Sequence, residues 1–167
     1  MLYHTLEPVF DARSTILILG SFPSPKSRET GFYYGHPQNR FWPLIAALCE
    51  DDLPIGNDAK KAFLLRHRIA LWDVLAACEI RGADDGSISA PIPNEIGRIL
   101  SAAPIRMICT TGKKATDLYQ RYCFPQTGRP SVYLPSTSPA NRGRYPMEAL
   151  LHDWSVLLPY LNDQEAI

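Results

Sequence analysis

The chain has 167 residues, 46% of them hydrophobic, with 17 basic and 17 acidic side chains; this gives one domain, residues 1–167, with a full core, and excludes disorder. Zero net charge excludes a histone-like cationic coat but leaves room for a local basic patch. No apolar run approaches the roughly 20 residues of a membrane span, and "MLYHTLEPVFDARS" lacks the basic start and apolar run of a secretory leader, so the expectation is a cytoplasmic protein without a membrane partner.

"TILIL" at Thr15–Leu19 predicts a buried first strand. A long loop follows, "GSFPSPKSRETGFYYGHPQN", rich in Gly, Pro and aromatic residues. "NRFWPLIAALCE" predicts a helix with Phe41, Leu44, Ile45 and Leu48 on one face, Pro43 being tolerated within the first turn. "NDAKKAFLLRHR" predicts a second helix opened by an Asn or Asp cap, and Ile69–Trp72 a second strand. Turn residues throughout "ACEIRGADDGSISAPIPNE" predict a surface loop. Then come a helix in "NEIGRILSAA", a strand at Ile105–Cys109, a helix in "KKATDLYQRY", a strand at Ser131–Leu134 and a final helix in "PMEALLHDWSVLLPYL". Strands alternating with helices predict βα units and a mostly parallel sheet, with ligands bound beyond the carboxyl ends of the strands. Three loops leave those ends: the long aromatic one, "TTGKK" and "PSTSPANRGRY".

Several chemistries find no support. Cys49, Cys78, Cys109 and Cys123 never form C-x-x-C, which argues against zinc ribbons and iron–sulfur clusters and for reduced thiols in apolar surroundings. "TTGKKAT" is not a phosphate loop, because Met107 and Lys114 stand where Gly and Ser or Thr are required. The two prolines of "GSFPSP" remove amide donors that a dinucleotide fingerprint needs. No G-x-S-x-G elbow is present. Charge is uneven: Ile105–Tyr145 holds seven basic residues (Arg106, Lys113, Lys114, Arg121, Arg129, Arg142 and Arg144) against one acid, Asp117, whereas the chain from Pro146 onward holds four acids and no Lys or Arg. This is either a solvated face or a nucleic-acid face.

"GSFPS" after the first strand, "FYYGHPQNRFW" beyond it and "LPSTSPAN" after the last strand resemble the motifs of the uracil-DNA glycosylase superfamily, and within it the DNA-deoxyinosine (hypoxanthine-DNA) glycosylase branch. The resemblance implies a three-layer α/β/α sandwich around a four-stranded parallel sheet of order 2-1-3-4. It implies a monofunctional enzyme that flips a deaminated base out of DNA and hydrolyses its glycosidic bond without metal or cofactor. A monomer with DNA as its partner is expected. Most branches carry Asp or Asn at the third position of the first motif to handle the attacking water. Phe22 stands there in this chain, as is usual in the hypoxanthine branch, where the Asn of H-P-Q-N is the catalytic residue. That role transfers to Asn39.

The same motifs place the flipped base against Gly20, Ser21, Phe22, Tyr34 and His36, with Tyr34 as the stacking face. Phe22, Phe32, Tyr33 and Tyr34 are the aromatic candidates for repaying lost base stacking, while Phe41 and Trp42 are assigned to the core. Asn39 can accept from water or donate to a base but is no strong base; it is also placed to cap the helix beginning at "RFW". His36 is read as a backbone hydrogen-bonder or base contact rather than a general acid. No lysine is marked for Schiff-base chemistry. Ser136, Ser138, Asn141, Arg142 and Arg144, with Lys113 and Lys114 from the neighbouring loop, are the expected DNA contacts. Two alternatives stay open: a uracil or mismatch-specific glycosylase, which Phe22 disfavours, and a nucleic-acid-binding module without catalysis.

Overall fold

The computed structural model describes residues 1–162. In chain order the strands are β1 (Leu2–Tyr3), β2 (Ile16–Gly20), β3 (Ile69–Asp73), β4 (Leu75–Arg81), β5 (Asp84–Pro93), β6 (Met107–Thr111) and β7 (Val132–Leu134). The helices are α1 (Pro25–Thr30), α2 (Phe41–Leu48), α3 (Asn57–Arg66), α4 (Gly97–Ala102), α5 (Gly112–Tyr122), α6 (Phe124–Thr127), α7 (Met147–Trp154) and α8 (Leu158–Asn162). No helix among the described residues is long and apolar enough to cross a membrane.

The central sheet runs β3-β2-β6-β7, all parallel, which is the expected order 2-1-3-4 for its four strands. Every residue of β2 and β3 is buried. Successive side chains on a strand face opposite sides, so complete burial requires cover on both faces, as parallel sheets generally have. Helices supply that cover and give three layers. Helix α2 buries Phe41, Trp42, Leu44, Ile45, Ala46 and Leu48, and packs against α7, whose Trp154 is fully buried. The expected core roles of Phe41 and Trp42 therefore hold. The four cysteines are free; Cys78, Cys109 and Cys123 are buried and Cys49 is half-buried.

Five local readings change. Helix α3 is opened by Gly56 rather than by an Asn or Asp cap, and Asn57 Nδ2 instead donates to the Thr30 carbonyl at 3.0 Å. Strand β6 begins two residues later than predicted and runs to Thr111, so "TTGKK" is a strand end joined directly to α5 rather than a free loop. Gly112 makes that junction at φ +87°, a left-handed conformation that costs glycine little. Within the aromatic loop, "SPKSRETG" folds as α1, with Ser24 as cap, Pro25 in the first turn and Gly31 closing it at φ +79°. The predicted surface loop at 77–95 is largely a hairpin: β4 and β5 pair antiparallel, and β1 pairs with β4 on its other side. Gly82 takes φ +59° in the two-residue turn, register shifts along the ladder absorb irregular residues, and Pro91 and Pro93 are tolerated because β5 is an edge strand. Finally, the predicted last helix is two helices joined by a 3₁₀ turn at Ser155–Leu157.

Candidate active site

The carboxyl ends of β2, β3 and β6 open into a cavity of about 270 Å³, close to the low end of the roughly 300–1,000 Å³ range of small-molecule sites and suited to one base-sized ligand. Gly20, Ser21, Phe22, Tyr34, His36 and Asn39 all line it, as do Ser136 and Ser138 of the second motif. Two indoles hold the motif loops over it. Trp42 Nε1 donates to the Tyr33 carbonyl at 3.1 Å, and Trp154 Nε1 donates to the Pro135 carbonyl at 3.0 Å. The loops are also tied to each other, since the Arg40 amide donates to the Thr137 carbonyl at 3.1 Å.

Asn39 carries the most informative geometry. Its side-chain oxygen accepts from the Phe41 amide at 2.9 Å and from the Thr137 hydroxyl at 2.8 Å. A backbone N–H can only donate, so this atom is Oδ1 and the amide orientation is settled. Among the described residues Nδ2 has no protein partner, which leaves Asn39 presenting a donor to the cavity. Asn39 is not the expected cap, since Arg40 holds the cap position of α2; Asn39 stands one residue earlier and its bond to Phe41 shapes the turn into the helix, a role that coexists with the site role because different atoms serve them.

The aromatic candidates separate by what they touch. Phe32 stacks on Trp42 with ring centroids 6.0 Å apart and does not line the cavity. Phe22, Tyr33 and Tyr34 all line it, and the Tyr33 hydroxyl is turned away to donate to the Glu7 carbonyl at 2.8 Å. One face of Tyr34 is already covered by Phe41, at 4.1 Å and 13° between planes, so it offers only its other face and its edge. Tyr34 sits at φ +54°, an uncommon conformation for a bulky residue, held by that stacking. Its hydroxyl is buried without a partner of hydrogen-bonding geometry, and burial, reinforced by the Asp73 charge, pushes its pKa up despite Thr111 beside it. His36 Nδ1 accepts from the Gln38 amide at 3.0 Å, so in the neutral ring Nε2 carries the proton.

The cavity floor holds residues that the motifs did not flag. Asp73, at the end of β3, is 4% exposed, and its Oδ2 accepts from His4 Nε2 at 2.8 Å. A Cβ on Gly20 would sit 2.5 Å from Asp73 Oδ1, so only glycine lets this carboxylate and the Tyr34 hydroxyl approach the strand end. An Asp closing the apolar run "IALW" was a readable signal. Its partner His4, 69 residues away, was not. Thr111 and Thr137 line the cavity, and the hairpin adds Ile80, Ala83 and Asp85.

The expected DNA contacts are more dispersed. Lys113 is paired with Asp117 at 2.7 Å, and Asn141 Nδ2 donates to the Ser136 carbonyl at 2.9 Å, which ties down its own loop. Arg142 Nη1 donates to the Gln38 carbonyl at 3.4 Å, Arg144 is exposed, and Lys114 is close enough for its charge to act on Asp85. Arg142 also bears on Arg40, whose pKa is lowered chiefly by burial and then by that like charge. Of the seven basic residues in the segment, Arg106 instead packs over Tyr160 and Arg121 over Tyr122. Among the described residues no cluster of three or more His, Cys, Asp or Glu side chains is placed to hold a metal ion.

A cavity beyond the carboxyl ends of a 2-1-3-4 parallel sheet, with an oriented amide on its wall, defines an α/β/α protein with one small-ligand site at the strand ends. The chain belongs to the Uracil DNA glycosylase superfamily, which it matches over residues 7–161. It is 38% identical over 136 residues to the hypoxanthine DNA glycosylase of Methanosarcina acetivorans, covering 80% of this chain and 85% of that one. It is 35% identical over 137 residues to the hypoxanthine DNA glycosylase of Methanosarcina barkeri, covering 81% and 85%. The solution NMR structure of a Methanosarcina acetivorans protein assigned to the uracil DNA glycosylases superposes with a TM-score of 0.82 at 31% identity, covering 97% of this chain and 99% of that one.

Proposed function

We propose that the protein is a monofunctional DNA glycosylase that flips hypoxanthine out of deoxyinosine-containing DNA and hydrolyses the N-glycosidic bond, leaving an abasic site. The observation that carries this reading is the Asn39 amide, whose Oδ1 is spent on Phe41 and Thr137 and whose Nδ2 is left as a donor on the cavity wall. As the bond from C1′ to the purine nitrogen breaks, negative charge spreads over the departing base; a fixed donor stabilises that charge more than it stabilises the bound base. Phe22 and the free face of Tyr34 offer apolar surface to the base. Asp73 offers an acceptor to the ring N–H of a base that sits edge-down on the floor. Hypoxanthine has that proton and adenine does not, so an intact adenine would set a lone pair against the carboxylate. Flipping costs a few kcal/mol, and less where pairing is imperfect, as for inosine opposite thymine.

The relatives named hypoxanthine DNA glycosylases support this substrate. The same reading includes a monomer that works in the cytoplasm without metal or cofactor. The test incubates duplexes carrying inosine, uracil or xanthine with the protein in EDTA, then cleaves abasic sites with alkali. Release of free hypoxanthine is the expected result; no free base from any duplex would leave a binding module. Release of uracil alone would favour a uracil enzyme, whose base also carries a ring N–H for Asp73.

Lys113, Lys114, Arg142 and Arg144 are proposed phosphate contacts around the cavity, with Ser136, Ser138 and Asn141 shaping the second loop. Each true contact changed to Ala should lower the slope of log K against log salt on duplex DNA by about 0.9. An unchanged slope in all four single variants would assign these residues to a solvated face.

A further inference from the structure

The proposed reaction needs a group to take a proton from water, and most acceptors in the cavity are already committed. Asn39 Oδ1 holds two donors, His36 Nδ1 accepts from the Gln38 amide, and Asp73 Oδ2 accepts from His4. Phe22 occupies the position where a motif acid would stand. The cavity hydroxyls are weak bases. Two carboxylate oxygens remain among the described residues, Asp73 Oδ1 and Asp85 Oδ2. Depth separates them. Asp73 is 4% exposed on the floor, whereas Asp85 sits on the exposed tip of the β4–β5 hairpin and lines the cavity at its mouth. A flipped base enters with its far edge toward the floor, so the glycosidic carbon stays at the mouth. Asp85 is fixed there because Ser21 Oγ, in the first motif, donates to its Oδ1 at 2.9 Å.

We propose that Asp85, carried by the hairpin and anchored by Ser21, is the catalytic carboxylate that positions and deprotonates the attacking water. The assignment rests on the glycosylase reading above. The water oxygen bonds to C1′ while one of its protons passes to Asp85 Oδ2. The electron pair of the breaking glycosidic bond leaves with the purine, whose charge Asn39 Nδ2 stabilises until solvent protonates it. Asp85 then returns its proton to solvent. Although Asp85 is exposed at the hairpin tip, desolvation of its carboxyl by the atoms packed around it raises its pKa; the Ser21 hydrogen bond opposes this, the Asp73 charge raises it further, Lys114 lowers it and Asp84 raises it. A base with a raised pKa is better matched to work near neutral pH. Besides those groups, His36 lines the same cavity and His4 stands behind Asp73.

Single-turnover rates on inosine duplex are measured against pH for the wild-type protein, Asp85→Asn and Asp85→Ala. The base acts only when deprotonated, so the wild-type rate should rise with pH through the Asp85 pKa. Asp85→Asn should bind the duplex, lose about 10² in rate and lose that acid limb. Asp85→Ala, at an exposed tip, should fold and be slow, and added formate should restore part of its rate by replacing the missing carboxylate. Wild-type rate in Asp85→Asn, an acid limb that persists in it, or no recovery of Asp85→Ala with formate would overturn the assignment while leaving the glycosylase intact. A wild-type protein that releases no base would instead remove the reading beneath it.

Discussion

Asn39→Asp should stay folded, bind inosine-containing DNA and lose roughly 10²–10³ in single-turnover rate, or about 3–4 kcal/mol of transition-state stabilisation. The substitution keeps an oxygen where Oδ1 now accepts from the Phe41 amide and the Thr137 hydroxyl. The turn into α2 and the tie between the two motif loops therefore survive. What changes is the other atom: a donor facing the departing base becomes an acceptor bearing charge. A leaving group that gathers negative charge meets repulsion where it met stabilisation. Asn39→Ala is a blunter probe, because it also removes the acceptor for the Phe41 amide, a loss of about 1 kcal/mol in stability for one such hydrogen bond. The two variants together separate the roles. If Asn39→Asp cuts at near wild-type rate, the amide donor has no part in the chemistry. If Asn39→Ala melts earlier yet cuts normally, Asn39 is a structural residue of the loop.

Three strands of the parallel sheet were readable because they are buried on both faces, so "TILIL", Ile69–Trp72 and "IRMIC" stand out as short apolar runs, whereas β7 exposes Val132 and Tyr133. The order of those strands came from motif resemblance rather than from pattern. Local punctuation was harder to weigh. In the aromatic loop, Ser24, Pro25 and Gly31 are the cap, first-turn and terminating residues of a short helix, but six residues show too little periodicity to reveal it. The hairpin of β4 and β5 escaped for a different reason. Much of its exposed outer strand is polar, bulged and interrupted by proline, and its order comes from pairing with β4, which β1 flanks on the other side. That missed hairpin took Asp85 out of view. Asn39, Tyr34 and the glycine-serine pair at the end of β2 were legible because they are local to one motif. Asp73 could have been singled out as an acid closing the apolar run "IALW", but His4 belongs to the site only through tertiary contact: strand pairing brings the two together, and a linear reading does not weigh such long-range neighbours. The basic segment shows the converse limit, since proximity in sequence gathered Arg106 and Arg121 with residues that do not share their surroundings.

His4→Phe should destabilise the protein by about 1–3 kcal/mol, the scale for leaving a buried polar group without its hydrogen-bond partner. The pairing of β1 with β4, and the His4 amide donating to the Ala76 carbonyl at 2.7 Å, bring the imidazole beneath the cavity. There its side chain is 2% exposed and that of Asp73 is 6% exposed. The ring is enclosed by aromatics, edge-on to Phe22 at 6.0 Å and to Trp72 at 6.4 Å, and tilted against Tyr33 at 6.0 Å. Phenylalanine keeps a ring in that enclosure, so the loss isolates the missing Nε2 donor rather than a void. Asp73 would then lack its donor at the floor, and removing a partner leaves the full desolvation cost of the group behind. Urea unfolding of both proteins measures the loss. His4→Gln, which can supply a donor, should lose less than His4→Phe. No measurable loss in His4→Phe would show that the hydrogen bond from His4 does not hold Asp73, and the place of the carboxylate opposite the ring N–H of a bound base would no longer be fixed from below.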